Sequence, residues 1–273
     1  MGRKINSNLL KKNKYSKWSF NYVIKKREDT SFFFFKHYVI YNVLKKLFIT
    51  HRLYILNCTL YQTNSIIHIF LSYLNLKKKL ATKLYKIKIE ETSLFIKKIF
   101  SFLSSYTKHK LNFYIIFQNL IKYSIQLKFF LNYLNTKKKM YTKLKKYDIK
   151  YKFFKNLLQI FFIIFTKSNS AQFLSNYISY ICKIRIYRKS HLRFLKLFKI
   201  IIQILISSKF SIISGIKIIL SGRLNGFARS RTRYLTISNM PLNTFNVKID
   251  YGYSTSYTKN GTLGIKVWVY EKK

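Results

Sequence analysis

The 273-residue chain carries 53 Lys and Arg against seven Asp and Glu, a formal charge of +46. Small soluble domains do well with net charges of about 2 to 8, so a chain this cationic needs a polyanion around it to stay compact. RNA is the first polyanion to consider, because each neutralised phosphate releases a counterion that drives binding; an anionic membrane surface is the second. A purely disordered basic tail is disfavoured, since apolar residues make up 49% of the chain and 23 Tyr and 25 Phe are spread along it. Part of the Phe, Tyr, Ile, Lys and Asn excess matches what an AT-rich coding sequence imposes.

Several classes of chemistry find no support in the residue pattern. Cys58 and Cys182 are isolated and far apart, without a partner at metal-ligand spacing, and read as reduced structural thiols. His37, His51, His68, His109 and His191 are scattered and form no HExxH-like arrangement. Glu90-Glu91 and Glu28-Asp29 are adjacent pairs whose side chains would not converge, and no catalytic triad order, P-loop or dinucleotide fingerprint occurs. The expectation is a protein that is not an enzyme and that has neither cofactor nor small-molecule substrate. No apolar run reaches the roughly 18 to 20 residues of a transmembrane segment. The basic opening lacks a signal peptide's apolar centre, and Asn6 stands where myristoylation would need Ser or Thr.

Along the chain, residues 36–48 have helical spacing, and two short strand-like runs follow at 53–60 and 65–70. Residues 71–90 and 131–150 share twelve of twenty positions around a common YLN-x-KKK-xx-TKL order, which reads as a duplicated segment. The apolar run Gln159 to Phe165 is expected to be a third strand. Residues 171–206 read as helical. Ile184, Tyr187, His191, Phe194, Phe198 and Ile201 recur on one side, and Arg185, Arg188, Lys189, Arg193, Lys196 and Lys199 on another. A merely solvated face would alternate with Glu, but no acidic residue occurs between Asp148 and Asp250, so the stripe is assigned to RNA contact.

The chain changes character after residue 214, where six of its seven glycines and its only proline lie. A turn-rich β region follows, with strands expected at 216–221, 234–237, 244–251, 255–258 and 263–270. Asn260-Gly261 signals a hairpin, because a type I′ turn needs positive φ at both central positions. Gly222 and Gly226 allow close backbone approach, and Arg223, Arg229, Arg231 and Arg233 supply guanidiniums that pair bidentately with phosphate. Tyr234 and Tyr253 have the chemistry to stack on unpaired bases, although core packing is the default expectation for each. Asp250 is read as structural, pairing with a neighbouring Arg or a backbone donor.

The motifs Gly222-Arg223-Leu224-Asn225-Gly226, Arg231-Thr232, Pro241-Leu242-Asn243-Thr244-Phe245, Lys248-Ile249-Asp250-Tyr251 and Gly264-Ile265-Lys266-Val267-Trp268-Val269 closely resemble, in order and spacing, the C-terminal domain of the ribosomal protein S3 family. Upstream, Ser170-Ala171-Gln172-Phe173-Leu174 is similar to the family's Ala-Gln-x-Leu helix, and Met1-Gly2-Arg3-Lys4-Ile5-Asn6 to its opening. The resemblance implies an α+β chain. A basic extension at 1–35 precedes a degenerate KH-like domain at 36–168, interrupted by a large, helical Lys- and Tyr-rich insertion at about 75–150. An S3 C-terminal domain at 169–273, α/β and ending in an antiparallel sheet, completes the chain. Three departures accompany it: residues 3–214 hold no glycine for the KH G-x-x-G loop, the insertion enlarges the first domain, and Thr236-Ile237-Ser238-Asn239 replaces a basic loop.

The implied role is structural, in the head of the small ribosomal subunit, with rRNA, mRNA and neighbouring head proteins as partners. The residues expected to bind rRNA are Lys4, Arg185, Lys196, Lys199, Arg223, Asn225, Arg229, Arg231 and Arg233. Arg188, Lys189 and Arg193 fall where the family places basic residues beside incoming messenger RNA. An opening that matches the family from its first residue leaves no room for a transit peptide, so organelle encoding is expected, in a mitochondrion first and a relict plastid second. The alternative is a basic, non-catalytic protein on an organelle's membrane surface.

Overall fold

The computed structural model describes residues 20–22, 30–51, 53–63, 66–75, 85–106, 112–119, 154–166, 170–183, 191–208, 211–227 and 231–272. They fall into two compact units, an N-terminal one within residues 20–119 and a C-terminal one within 154–272. Both mix helices with a four-stranded sheet, so the chain is α+β as expected.

In the N-terminal unit, β1 (Phe20–Tyr22), α1 (Thr30–Thr50), β2 (Leu53–Gln62), β3 (Ile66–Asn75), α2 (Tyr85–Tyr106) and β4 (Asn112–Asn119) form a sheet of order β1-β2-β3-β4. The β2–β3 pair is antiparallel, and β3–β4 is parallel. A parallel pair needs a crossover of a dozen or more residues, and α2 lies within that crossover. Helix α1 buries Ile40, Leu44 and Phe48 at four-residue intervals, and α2 buries Phe95, Ile99 and Leu103 in the same way. Both sets pack on Cys58, Leu60, Ile67, Ile69 and Leu71 of the sheet. His37 Nε2 lies 2.9 Å from Gln62 Oε1 within the buried region.

The strand expected at 159–165 is instead part of α3 (Phe154–Thr166), and the strands that complete the sheet beside β2 and β3 are β1 and β4. Leu157, Leu158 and Ile160 to Phe165 are all buried, and an apolar run covered on every side has no periodicity to separate helix from strand. Helix α2 and strand β4 both lie within the segment expected as an insertion, and both contribute to the core or the sheet. Of the paired repeats, the first runs from β3 into α2, and the second lies outside the described residues.

In the C-terminal unit, α3, α4 (Ala171–Lys183) and α5 (His191–Ile206) precede β5 (Ile213–Gly222), a 3-10 turn at 224–226, β6 (Arg231–Ile237), β7 (Ile249–Thr258) and β8 (Gly261–Glu271). The sheet is wholly antiparallel, in the order β6-β5-β8-β7. The continuous helical reading of 171–206 resolves into two described helices, with 184–190 outside the described residues.

Helix α4 sits on β7 because β7 alternates small inward residues with large outward ones. Gly252, Ser254 and Ser256 face the helix, while Tyr253, Thr255 and Tyr257 are exposed on the other side. Ser254 Oγ donates to the Ser175 carbonyl at 2.7 Å and Ser256 Oγ to that of Ser179 at 2.9 Å. At Gly252 a Cβ would run into the Ala171 backbone. The start of α4 is held twice: Ser170 Oγ accepts from the Phe173 amide at 3.1 Å, and Asp250 Oδ2 accepts from the Ala171 amide at 2.7 Å. A carboxylate is favourable there because free amides and the helix dipole point at it. The structural reading of Asp250 is correct in kind, with a backbone donor as partner. Gln172 closes the exposed edge of β7, its Oε1 accepting from the Tyr253 amide at 3.1 Å and its Nε2 donating to the Tyr253 carbonyl at 2.8 Å.

Two expectations in the β region change. The strands placed at 244–251 and 255–258 are one strand, β7, preceded by turns and bends at 243–247. Of the residues between those two runs, Gly252 and Ser254 are small for packing rather than for turning. The hairpin at Asn260-Gly261 forms, but its loop is Lys259 and Asn260, flanked by the pair Thr258 and Gly261. Positive φ occurs at Gly261 (127°) and at neither loop residue, so the turn is not type I′.

The start of α5 is fixed from a distance. Asn225, in the left-handed region with φ 55°, accepts the His191 amide on Oδ1 at 2.8 Å, and its own amide donates to His191 Nδ1 at 3.2 Å. Asn tolerates this φ better than most residues. Burial holds His191 below the usual imidazole range, offset in part by the Cys182 backbone, which keeps the ring neutral and able to accept.

Two substitutions test this packing. Gly252→Ala is expected to cost about 1–3 kcal/mol through overpacking, read as a lower urea midpoint of the full chain; an unchanged midpoint would mean α4 does not sit on β7 this closely. Asn225→Ala is expected to cost about 0.5–2 kcal/mol as a lost cap, with hydrogen exchange accelerated in the first turn of α5. Unchanged protection there would remove the Asn225–His191 junction.

Candidate nucleic-acid interface

Helix α5 buries His191, Phe194, Leu195, Leu197, Phe198, Ile201, Ile202, Ile204 and Leu205. Arg193, Lys196 and Lys199 remain exposed, three residues apart on one face. The packing face and the cationic stripe expected for this segment are both present over its described part. Arg185, Arg188 and Lys189 lie outside the described residues, as do Lys4 and Arg229.

The Asn225–His191 junction ties the 223–227 turn to the start of α5. Arg223 is exposed on that turn, its Nε donating to the Phe227 carbonyl at 3.2 Å. Arg231 opens β6, with its guanidinium 4.9 Å from the centroid of the half-exposed Phe227 ring. Arg233 follows two residues on, also exposed. The fold therefore joins the cationic helix face to three arginines on neighbouring backbone, with their charged ends in solvent. Such a surface suits phosphate: guanidiniums offer a planar fork to the oxygens, and lysines add point charge. Asn225 plays a different part, since its side-chain oxygen is turned inward onto the His191 amide.

The sheet presents a second surface on the side away from α4 and α5. By register, Tyr234, Ile219, Lys266 and Tyr253 form one row across all four strands. The next row is Thr232, Ser221, Gly264 and Thr255, and Tyr257 stands beyond it opposite Thr262. Tyr234 is 63% exposed, Tyr253 46% and Tyr257 69%, so the default expectation of core packing for Tyr234 and Tyr253 is overturned. On the same face, Trp268 is covered, with its ring 5.2 Å from that of Tyr251 and Lys217 Nζ 5.8 Å from its centroid. Sequence reasoning misses Tyr257 and Lys266 as members of this surface. Their signal is the two-residue period of β7 and β8, which is obscured when Gly252 is taken for a break.

Both cysteines are buried, and burial pushes each thiol up to about 12, which keeps them protonated and unreactive. Among the described residues, no three His, Cys, Asp or Glu side chains gather as a metal site requires.

Comparison with known proteins agrees with this geometry. Residues 189–269 match the family described as "Ribosomal protein S3, C-terminal domain". The small ribosomal subunit protein uS3 of Aquifex pyrophilus is 46% identical over 57 residues, 21% of this chain and 25% of that protein. The uS3 of Kosmotoga olearia is 49% identical over 57 residues, 21% and 26% of the respective chains. That of Endomicrobium trichonymphae is 44% identical over 61 residues, 22% and 26%. The matched stretch spans about a quarter of the length of these curated relatives. The family match at 189–269 holds α5 from Arg193 to Lys199, the Asn225 turn and the β7–β8 hairpin. Over residues 189–269 the chain is similar to the C-terminal domain of the ribosomal protein S3 family.

Proposed function

We propose that the protein is a non-catalytic constituent of a small ribosomal subunit, held in the subunit head by rRNA and by neighbouring head proteins. One observation carries the reading: an S3-type domain presents an outward cationic face, Arg193, Lys196, Lys199, Arg223, Arg231 and Arg233, in a chain of net charge +46. A surface of that sign on a domain of that family calls for polyphosphate. Arg188, Lys189 and Arg193 act on messenger RNA as it enters the subunit, and the other cationic residues position the domain on rRNA. The KH-like character of the N-terminal unit belongs to the same proposal, supported by its helix-backed sheet. The ribosome is organellar, in a mitochondrion rather than a relict plastid. The AT-driven composition supports an organellar assignment.

Among the described residues no helix is long and apolar enough to cross a membrane. Attachment to a membrane surface is separated from the ribosomal reading by fractionation. The protein is expected to sediment with small subunits and to be released by nuclease or high salt but not by detergent. Recovery in a detergent-sensitive membrane fraction would overturn the proposal. Replacing Lys196 and Lys199 together by Ala should reduce the slope of log affinity for rRNA against log salt by about 1 to 2, the loss of two phosphate contacts. An unchanged slope would take α5 out of the interface.

The finer role has its own test. The triple variant Arg188→Ala, Lys189→Ala, Arg193→Ala is expected to slow translation of structured messages several-fold while leaving unstructured ones and subunit assembly nearly intact. Equal slowing on both templates would contradict contact with incoming message.

A further inference from the structure

We propose that the helix-free face of the C-terminal sheet binds unpaired RNA nucleotides, with Tyr234, Tyr253 and Tyr257 as stacking partners and Lys266 as a phosphate contact between them. This deepens the ribosomal reading and rests on it for the source of the RNA. It concerns a surface distinct from the cationic helix face and a different kind of recognition.

Four observations support it. First, the three tyrosines are 63%, 46% and 69% exposed, although each ring could have buried apolar area. Trp268 on the same face is 4% exposed, so the fold covers an aromatic there where it can. Second, the row Tyr234–Ile219–Lys266–Tyr253 crosses the whole sheet. With strands about 4.8 Å apart, the outer tyrosines stand about 14 Å from each other, leaving room for nucleotides between them. Third, the floor beside that row is low, made of Thr232, Ser221, Gly264 and Thr255. Ser221 Oγ donates to the Gly264 carbonyl at 3.2 Å, and a Cβ on Gly264 would come within 2.9 Å of that Oγ, so the surface has no side chain to lift a base off the sheet. Fourth, the charge on this face is positive: Lys217 and Lys266 lie on it, and no carboxylate occurs among its residues from 216 to 221, 232 to 236, 251 to 257 or 262 to 268.

Chemistry selects the occupant. A docked protein would need the exposed rings covered by apolar side chains and the two lysines met by carboxylates. Unpaired nucleotides satisfy both at once, since every base has a face that stacks on an aromatic ring and every linkage carries a phosphate. Duplex RNA does not fit, because its bases are already stacked on each other. Four-stranded sheets that stack bases on aromatic residues are an established mode of single-strand recognition.

The test uses the full chain with a 12-nucleotide single-stranded RNA carrying 4-thiouridine, at about 0.5 M salt to suppress the phosphate-driven background. Cross-links are expected at Tyr234, Tyr253 and Tyr257, with unlabelled single strand competing and duplex of the same sequence competing poorly. The triple Tyr→Ala variant should lose affinity about tenfold or more, given what stacking contributes per base. The triple Tyr→Phe variant should keep most of it, because a ring without its hydroxyl still stacks, and Lys266→Glu should weaken binding without disturbing the fold. Cross-links confined to other surfaces, equal competition by duplex, or wild-type affinity in the Tyr→Ala variant would each overturn the proposal. So would mapping of these tyrosines onto a protein neighbour in intact subunits. The oligonucleotide measurement needs no ribosome, so failure of the chain to enter small subunits would sink the proposed function while leaving this result to stand or fall separately.

Discussion

Scarcity of acid is the constraint under which the rest of the molecule is built. With seven carboxylates for 53 cationic side chains, helix starts and strand edges cannot rely on ion pairs. The two that matter in the C-terminal unit sit where one carboxylate does most: Asp250 at the first amide of α4, and Glu271 beside Lys248 where β8 ends and β7 begins. Elsewhere neutral groups take over. Asn225 and His191 satisfy each other, Gln172 pairs the exposed edge of β7, and serines of β7 donate to carbonyls of α4. These contacts are insensitive to salt and to surrounding phosphate, so the fold's internal connections are independent of the polyanion that its surface requires.

The same constraint explains how charge is distributed. Lysine and arginine cannot enter the core unpaired, so an amphipathic element that carries them divides into an apolar side and a cationic side. On α5 this places Arg193, Lys196 and Lys199 opposite a row of Phe, Leu and Ile. In β7 the division is between small and aromatic instead, because α4 lies too close for any large inward side chain. The tyrosines are therefore directed outward by the packing of the other face, and their exposure follows from a demand on Gly252, Ser254 and Ser256.

Features governed by local pattern are legible in the amino-acid sequence alone. The four-residue spacing of Ile40, Leu44 and Phe48, the two sides of α5, and the β character of the segment after residue 214 are all present in the fold. Features governed by a distant partner are not legible in this way. Gly252 looks like a turn until α4 is placed against it, and Asn225 looks like an outward contact until His191 is beside it. The run from Leu157 to Phe165 has no polar side to reveal its period, so its helical state depends on what surrounds it. The general tendency of aromatics would place Tyr234 and Tyr253 in the core, and here that tendency yields to strand alternation.

Two surfaces of one small domain with different chemistry imply a division of labour. The RNA contacts proposed for Arg193, Lys196, Lys199, Arg231 and Arg233 would be electrostatic, weakening as salt rises and independent of base identity or pairing. Stacking on Tyr234, Tyr253 and Tyr257 requires a base released from its helix, and so responds to RNA structure more than to charge. A domain with only the first surface would bind any phosphate-rich site in a large RNA equally well, and a charge of +46 makes that promiscuity severe. The proposed second surface, which would accept only unpaired nucleotides, would restore selectivity without adding a carboxylate. For a chain with so little acid to use against wrong partners, an aromatic face is the available means of discrimination.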